Sequence, residues 1–247
     1  MSPKVRCFSF VLLAIVGASA CAQQLTFEQL AKASKIYFRD TAEFPMRMSL
    51  DFSAVDSNGK MRKHRTGNFD YDFHGYNPRS QKANLSMRGP RSGLKAGASA
   101  GVAVILPISV LYTKAEEYYQ FVAAEGSAPD LLSAKLTPVE TCLSAKWSID
   151  NYLLNQTCGS WELEVTKSDL ELRHFHFETH GLPLQGEIDY LGAATVNRLY
   201  VDADFQAVQI PSDPKPFLVP KKVLVTVQTD RGKLLIAGDF TPKPQKK

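Results

Sequence analysis

The chain has 247 residues, 44% of them hydrophobic, and a formal net charge of +4 at pH 7. That length and composition can bury a substantial core, in one large domain or two small ones. Removal of Lys4 and Arg6 with a leader would subtract two positive charges and leave +2. A balance so close to neutrality argues against nucleic acid as a partner.

The first 22 residues have the features of a secretory signal. Lys4 and Arg6 form its basic segment, residues 8–16 an apolar core and residues 17–22 a small-residue cleavage region. The apolar core is too short to span a bilayer. We therefore expect export, with cleavage near Ala20 or Ala22 and a single mature domain over residues 23–247.

The four cysteines fit an exported protein. Cys7 leaves with the signal, and Cys21 follows a weak lipobox, so it is either lipidated, which would tie the protein to a membrane, or removed. Cys142 and Cys158 remain as an even pair in an oxidising compartment, which favours a disulfide between them. The alternative is two buried thiols that never meet, and no Cys/His spacing indicates a zinc site.

The mature chain opens with patterns of a helix and three strands. Thr26 and Gln29 can form a capping box for a helix over residues 26–38. From Met46 the apolar period changes to two, which predicts a strand, a turn at residues 56–59, and two further strands. The second strand begins with a basic run over residues 60–65, which is typical of a solvated strand.

The rest of the chain predicts a loop, two helices and many strands. The Gly-, Ser- and Ala-rich stretch near residues 88–101 predicts a mobile loop, followed by helices over residues 108–126 and from Thr137-Pro138 onward. Further strands are predicted over 161–165, 170–179, 187–190, 196–201 and 205–210, and then a hairpin turns at 230–232. The order predicts an α+β fold: one large curved, half-barrel-like antiparallel sheet with helices on its concave face.

Two patterns suggest catalysis. Gly97, Ser99 and Gly101 spell G-x-S-x-G, but no apolar strand precedes them as a hydrolase elbow requires. His174, His176, Glu178 and His180 alternate along one predicted strand face, where they could share a metal. A solvated polar face opposite the buried Phe175 and Phe177 explains the same alternation, so no metal site is predicted.

An apolar strand face is the leading candidate for binding. By its length, the uncharged run over residues 96–113 could be a membrane span. It could also be a buried segment or a lid over an apolar cavity. Such a cavity would be lined by methionine and aromatic side chains that suit adaptable apolar binding, or the same side chains would be plain core. These candidate lining residues are Met46, Met48, Leu50, Phe52, Phe69, Tyr71 and Phe73.

The order of the predicted elements and the general character of their sequences resemble those of the periplasmic lipoprotein-carrier and outer-membrane lipoprotein-acceptor group (LolA/LolB-like). The resemblance rests on a signal, a leading helix, a meander containing DSNGK and GNFDYDF, a helical middle, and a VPKKV strand before a hairpin. It implies an open half-barrel that holds acyl chains under a helical lid, with no cofactor and no covalent chemistry. It also implies the periplasm or outer membrane of a Gram-negative-type bacterium.

Two classes of function follow. The first is a non-enzymatic envelope protein that binds or carries an apolar ligand, such as a lipid or the acyl chains of a lipoprotein. The second is an envelope structural or interaction protein with a filled core, and an esterase or metal-dependent enzyme is a distant third. An unfilled apolar cavity would favour the first class over the second.

Overall fold

The computed structural model describes residues 25–26, 28–29, 44–77, 82–90, 119–140, 158–209 and 217–243. These residues form eleven β-strands in chain order. The strands are β1 (Phe44–Asp56), β2 (Met61–Asn77), β3 (Lys82–Arg88), β4 (Tyr119–Glu125), β5 (Leu131–Pro138), β6 (Gly159–Thr166), β7 (Leu172–Thr179), β8 (Leu184–Ile188), β9 (Gly192–Val208), β10 (Phe217–Thr229) and β11 (Gly232–Pro242).

All of the strands belong to one antiparallel sheet. Its order is β3-β2-β1-β11-β10-β9-β7-β6-β5-β4, and β8 pairs with the first part of β9. Within the described residues the sheet is open, with β3 and β4 as its outer strands. The large antiparallel sheet is therefore confirmed, whereas most of the residues expected to form helices on its concave face lie outside the described residues.

The N-terminal part of the prediction is confirmed where it is described. The Thr26 N–H donates to Gln29 Oε1 at 2.8 Å and the Gln29 N–H donates to Thr26 Oγ1 at 3.2 Å, which is the predicted capping box. Strands β1, β2 and β3 form the predicted meander. Gly59, at φ +78°, supplies the positive φ that the first turn requires.

The predicted helix over residues 108–126 is wrong for the part that is described. Residues 119–125 form β4, which pairs with β5, a strand that the sequence did not predict. Tyr119 and Val122 are three residues apart, as on one helix face, but Tyr119 is buried and Val122 is 60% exposed. The alternation of Tyr119, Phe121 and Ala123 with their neighbours is the period that the pairing with β5 selects.

Three other boundaries differ from the prediction. Thr137 and Pro138 end β5, and helical conformation is found at Glu140, so the next helix does not begin at Thr137. The strand predicted over residues 187–190 is β8, which ends at Ile188. The two strands predicted over 196–201 and 205–210 are the single long strand β9, because it pairs with β8 in its first part and β7 in its second.

The two faces of the sheet have opposite character. Buried apolar side chains occupy alternate positions along the strands, while most intervening positions are exposed or half-exposed and many of them are polar; the fully buried Thr226 of β10 is an exception. An antiparallel sheet with one covered and one solvated face has this pattern. No helix among the described residues is long and apolar enough to cross a membrane.

Candidate functional site

From β4 to β1, one face of the sheet is an apolar surface, called here the apolar face, and Arg65 of β2 ends it on that side, opposite Phe52. The strand register places one residue from each of eight neighbouring strands directly opposite the next. Seven of these eight residues are buried, and the eighth, Phe121, is partly buried. At about 4.8 Å between strands, this row is about 34 Å long. Its members are Phe121, Leu136, Trp161, Phe177, Val201, Val225, Ile236 and Phe52.

The predicted lining residues converge on the β2-β1-β11 part of the apolar face. Met46, Met48, Leu50, Phe52, Phe69 and Tyr71 are all buried. Met46 lies opposite Tyr71, and Met48 lies opposite Phe69. Phe73 continues β2 in register with Phe44, but its side chain lies outside the described part of the structure.

A sulfur, a phenol and an aromatic ring meet at the centre of this group. The Tyr71 hydroxyl donates to Met48 Sδ at 3.7 Å, and the Tyr71 ring lies 5.7 Å from that of Phe240. Burial raises the pKa of the Tyr71 hydroxyl well above its ordinary value of 10. The hydroxyl is therefore neutral at physiological pH, and this part of the face is uncharged.

Met48 packs directly against a glycine. Gly238 lies in β11 between Leu50 of β1 and Val223 of β10, on the apolar face. A Cβ atom at Gly238 would lie 2.6 Å from Met48 Sδ and 3.1 Å from Val223 Cγ1. The methionine side chain is flexible and adapts to its surroundings, so the volume next to Gly238 depends on how Met48 is placed.

The chain after β3 covers one ring of the group. A Cβ atom at Gly89 would lie 2.1 Å from Cδ1 of Phe69, so the backbone at Gly89 is in direct contact with that ring. A Cβ atom at Gly67 would lie 3.3 Å from Cγ of Pro90. A side chain at Gly89 would overlap the Phe69 ring, whereas one at Gly67 would be tightly packed, and these close approaches explain why Phe69 is fully buried close to the sheet edge.

A second aromatic cluster, which the candidate lining set did not include, lies farther along the same face. The Trp161 ring lies 4.4 Å from that of Phe177 and 5.6 Å from that of Phe175, and Phe175 lies 5.8 Å from Phe205. The Trp161 indole N–H donates to the Tyr119 hydroxyl at 3.4 Å. The alternation of Phe175 and Phe177 was the available signal, but only strand order shows that they continue the same surface as Met48.

The opposite face pairs the weak metal candidates with partners on β9. His174 Nδ1 lies 2.8 Å from Asp204 Oδ1, and His176 Nδ1 lies 2.7 Å from Asp202 Oδ1. Both oxygens of Glu178 accept hydrogen bonds from the Arg198 guanidinium.

His180 lies just beyond β7, and its backbone N–H donates to the Cys158 carbonyl at 3.2 Å. Within the described residues no group of three or more His, Cys, Asp or Glu side chains is arranged to hold a metal. The cross-strand pairs account for the alternation of these side chains along β7.

The Glu178–Arg198 pair makes folding stability depend on pH. The hydrogen bonds from Arg198 hold the pKa of Glu178 below its ordinary value of 4.5. A lowered folded-state pKa stabilises the protein above pH 4.5, and that contribution is lost as the pH falls through the folded-state pKa. Arg198→Gln should therefore reduce the free energy of unfolding at pH 7 only slightly, because the pair is partly exposed.

Urea unfolding at several pH values measures this contribution. The difference between the wild type and Arg198→Gln should shrink as the pH falls below 4.5. A difference that stays constant down to strongly acidic pH would contradict the assignment. Lys135→Gln, which breaks the pair with Glu162, is the matched control, because that pair is more exposed than the Glu178–Arg198 pair.

Several predicted residues lie outside the described part of the structure. They are Cys21, Cys142, Gly97, Ser99 and Gly101, together with the uncharged run over 96–113. Cys158 is described and is buried directly before β6. The Cys142–Cys158 bond and the lipidation of Cys21 therefore remain predictions.

No family model matches the chain, and no curated protein matches it either. Among solved structures, it is similar to a LolA superfamily protein from Nitrosomonas europaea, with 12% identity over 89% of this chain and 93% of that one, at a TM-score of 0.39. It is also similar to an outer membrane lipoprotein-sorting protein domain from Vibrio parahaemolyticus, with 11% identity over 91% and 94% of the two chains, at a TM-score of 0.35.

A third similar structure is a DUF1329 family protein from Desulfovibrio piger, with 10% identity over 87% of this chain and 89% of that one, at a TM-score of 0.39. The names of the first two agree with the resemblance drawn from the sequence. All three TM-scores lie below 0.5, so function is inferred below from the residues of this chain.

Proposed function

We propose that this chain is a non-enzymatic protein of the bacterial cell envelope that binds or carries an apolar ligand on the apolar face. The ligand class is a lipid or the acyl chains of a lipoprotein. The observation that supports this most is the row from Phe121 to Phe52, which runs across eight strands of an open sheet.

The need for a cover supports the proposal. The described strands form a single layer, and an apolar sheet face of this size is stable only when another element or a ligand covers it. The uncharged run over residues 96–113, expected to be a buried segment or a lid, is our candidate for that cover. A segment without charges can lie against the apolar face and exchange places with an acyl chain at little electrostatic cost.

The chemistry of the face supports binding without catalysis. Met46 and Met48 give it side chains that repack around different chain shapes. Tyr71 is neutral, and the titratable groups of β7 lie on the opposite face in pairs with β9. Binding should therefore be indifferent to Ser99 and to the histidines.

A filled core in an envelope interaction protein is the second candidate. The complete burial of Met46, Met48, Phe69 and Tyr71 favours it, since these side chains already have neighbours. The two candidates differ in whether the face around Met48 can admit a ligand, and a substitution that adds volume there separates them.

Gly238→Val is the substitution that tests the proposal. The added carbons would overlap Met48 and crowd Val223, so Met48 would have to repack into the volume open to a ligand. The dissociation constant for a fluorescent long-chain fatty acid should therefore rise about tenfold, the effect of losing roughly two buried methylenes. Ala237→Val is the control, because it adds volume to the adjacent residue, on the opposite side of β11.

Binding is measured by fluorescence titration, and circular dichroism verifies that both variants are folded. The control should bind as the wild type does. A wild type that binds no fatty acid, or a folded Gly238→Val that binds as tightly as the wild type, would contradict the proposal and favour the filled core.

We also propose that the mature protein carries a Cys142–Cys158 disulfide, in keeping with an oxidising envelope compartment. Non-reducing peptide mapping of protein exported by its own signal should recover the two cysteines in one linked peptide. Recovery of both as free thiols after alkylation would refute the bond.

A further inference from the structure

A polar pocket lies at one end of the sheet, where three hairpin turns meet. Its volume is about 300 Å³. The β1–β2 turn, the β8–β9 turn and the β10–β11 turn all contribute, and the Ser57 N–H donates to the Arg231 carbonyl at 2.9 Å across two of them. The lining residues are Asp56, Ser57, Asn58, Arg62, Tyr190, Leu191, Asp230 and Arg231.

Two backbone irregularities place side chains at this pocket. Tyr190 has φ +68°, a conformation that a bulky residue adopts only at a cost in energy. Arg62 is the extra residue of a β-bulge, because Lys63 pairs with Ala54 while Met61 pairs with Val55. Both features are of a kind that recurs at binding sites.

The carboxylates of the pocket are already engaged. Asp56 accepts the backbone N–H groups of Asn58 and Lys60 and an ion pair from Nε of Arg62 at 2.8 Å. Asp230 accepts the Thr195 N–H at 2.8 Å. Their negative charges are therefore largely satisfied by donors of the protein itself.

The cations keep unused donors. Arg62 uses Nε on Asp56, which leaves its terminal nitrogens for a further acceptor. No described residue forms an ion pair or hydrogen bond with the Arg231 guanidinium. An oxyanion in the pocket could therefore accept hydrogen bonds from two guanidinium groups.

Tyr190 joins this pocket to the apolar face. Its ring lies 5.6 Å from that of Phe52, which ends the long apolar row, and Nζ of Lys63 lies 5.7 Å from the ring centroid. The Tyr190 side chain is 47% exposed. One edge of the ring thus contacts the apolar face, while the ring also forms a wall of the polar pocket.

We infer that this pocket is a headgroup subsite, which holds the phosphate of an anionic lipid between Arg62 and Arg231 while the acyl chains lie along the apolar face past Phe52. The inference rests on the proposed function and specifies its ligand class. Tyr190 lies between the polar pocket and the apolar face. The edge of its ring would contact the first carbons of the acyl chains, and Lys63 would lie close to the phosphate.

The test compares two lipids with the same acyl chains, phosphatidylglycerol and the uncharged diacylglycerol, presented in mild detergent to the full mature chain. Wild type should bind phosphatidylglycerol about tenfold more tightly, in line with one or two hydrogen bonds between charged groups. Arg231→Gln should abolish that preference and leave diacylglycerol binding unchanged. Lys222→Gln, an exposed cation seven residues from the end of β10, should retain it.

Each outcome is decisive. Equal binding of both lipids by wild type would overturn the headgroup subsite while leaving the apolar face intact, and absence of binding of either lipid would overturn the proposed function as well. The last measurement tests whether inorganic phosphate competes for the pocket. If it displaces phosphatidylglycerol at millimolar concentration and also binds alone in an Arg231-dependent way, the pocket is a free-anion site and the lipid assignment is wrong.

Discussion

Trp161→Ala should lower the free energy of unfolding by about 3–5 kcal/mol, the range for removal of a fully buried large aromatic side chain. Trp161 is 1% exposed, and its ring contacts those of Phe175 and Phe177 at the centre of the apolar face. Its replacement removes those contacts and the hydrogen bond to Tyr119 together. Chemical denaturation followed by circular dichroism measures the change.

Val122→Ala is the control for this loss, since Val122 is 60% exposed on β4. It should change the free energy of unfolding by less than about 0.5 kcal/mol. If Trp161→Ala were as mild as Val122→Ala, the second aromatic cluster would not be part of the buried face, and the long row across the sheet would be interrupted there.

Gly232→Ala should cost about 3 kcal/mol. Gly232 has φ +150°, and a Cβ atom there would lie 2.1 Å from the Val55 carbonyl oxygen and 2.8 Å from Cα of Asp56. These atoms are backbone of the partner strand β1, so they cannot move aside without opening the β1–β11 pairing. The cost combines the steric overlap with an unfavourable φ.

Gly192→Ala separates these two contributions. Gly192 also has a positive φ, +76°, but no atom lies within 4 Å of its added Cβ. It should cost only about 1 kcal/mol, the conformational penalty alone. Thermal unfolding of both variants measures the difference, and equal losses would mean that β1 and β11 are not paired as closely at this turn as described.

The strands were predictable where their period of two was strong. Phe175 and Phe177 alternate with His174 and His176, and the structure buries the first pair and leaves the second pair partly exposed, on the opposite face. The capping box at Thr26 was equally predictable from the sequence, because it depends on two residues that are three positions apart. Such local patterns need no knowledge of distant partners.

The failures arose where pairing partners decide the structure. Residues 119–125 carry apolar side chains at both helical and strand spacings, and only pairing with β5 selects the strand. The pocket was not predictable either, because Arg62, Tyr190 and Arg231 belong to three hairpins that are far apart in sequence. The basic run over 60–65 was interpreted as a solvated strand, and the bulge that sets Arg62 apart follows from the register with β1.

Native mass spectrometry of protein taken from its own membrane fraction, in mild detergent, would detect a lipid bound to the apolar face. We expect a complex that is heavier than the chain by one lipid. The lipid should be lost on denaturation and should be less abundant in Gly238→Val than in Ala237→Val. A wild-type protein found only at the mass of the chain, under conditions in which a known lipid-binding protein keeps its lipid, would contradict this expectation.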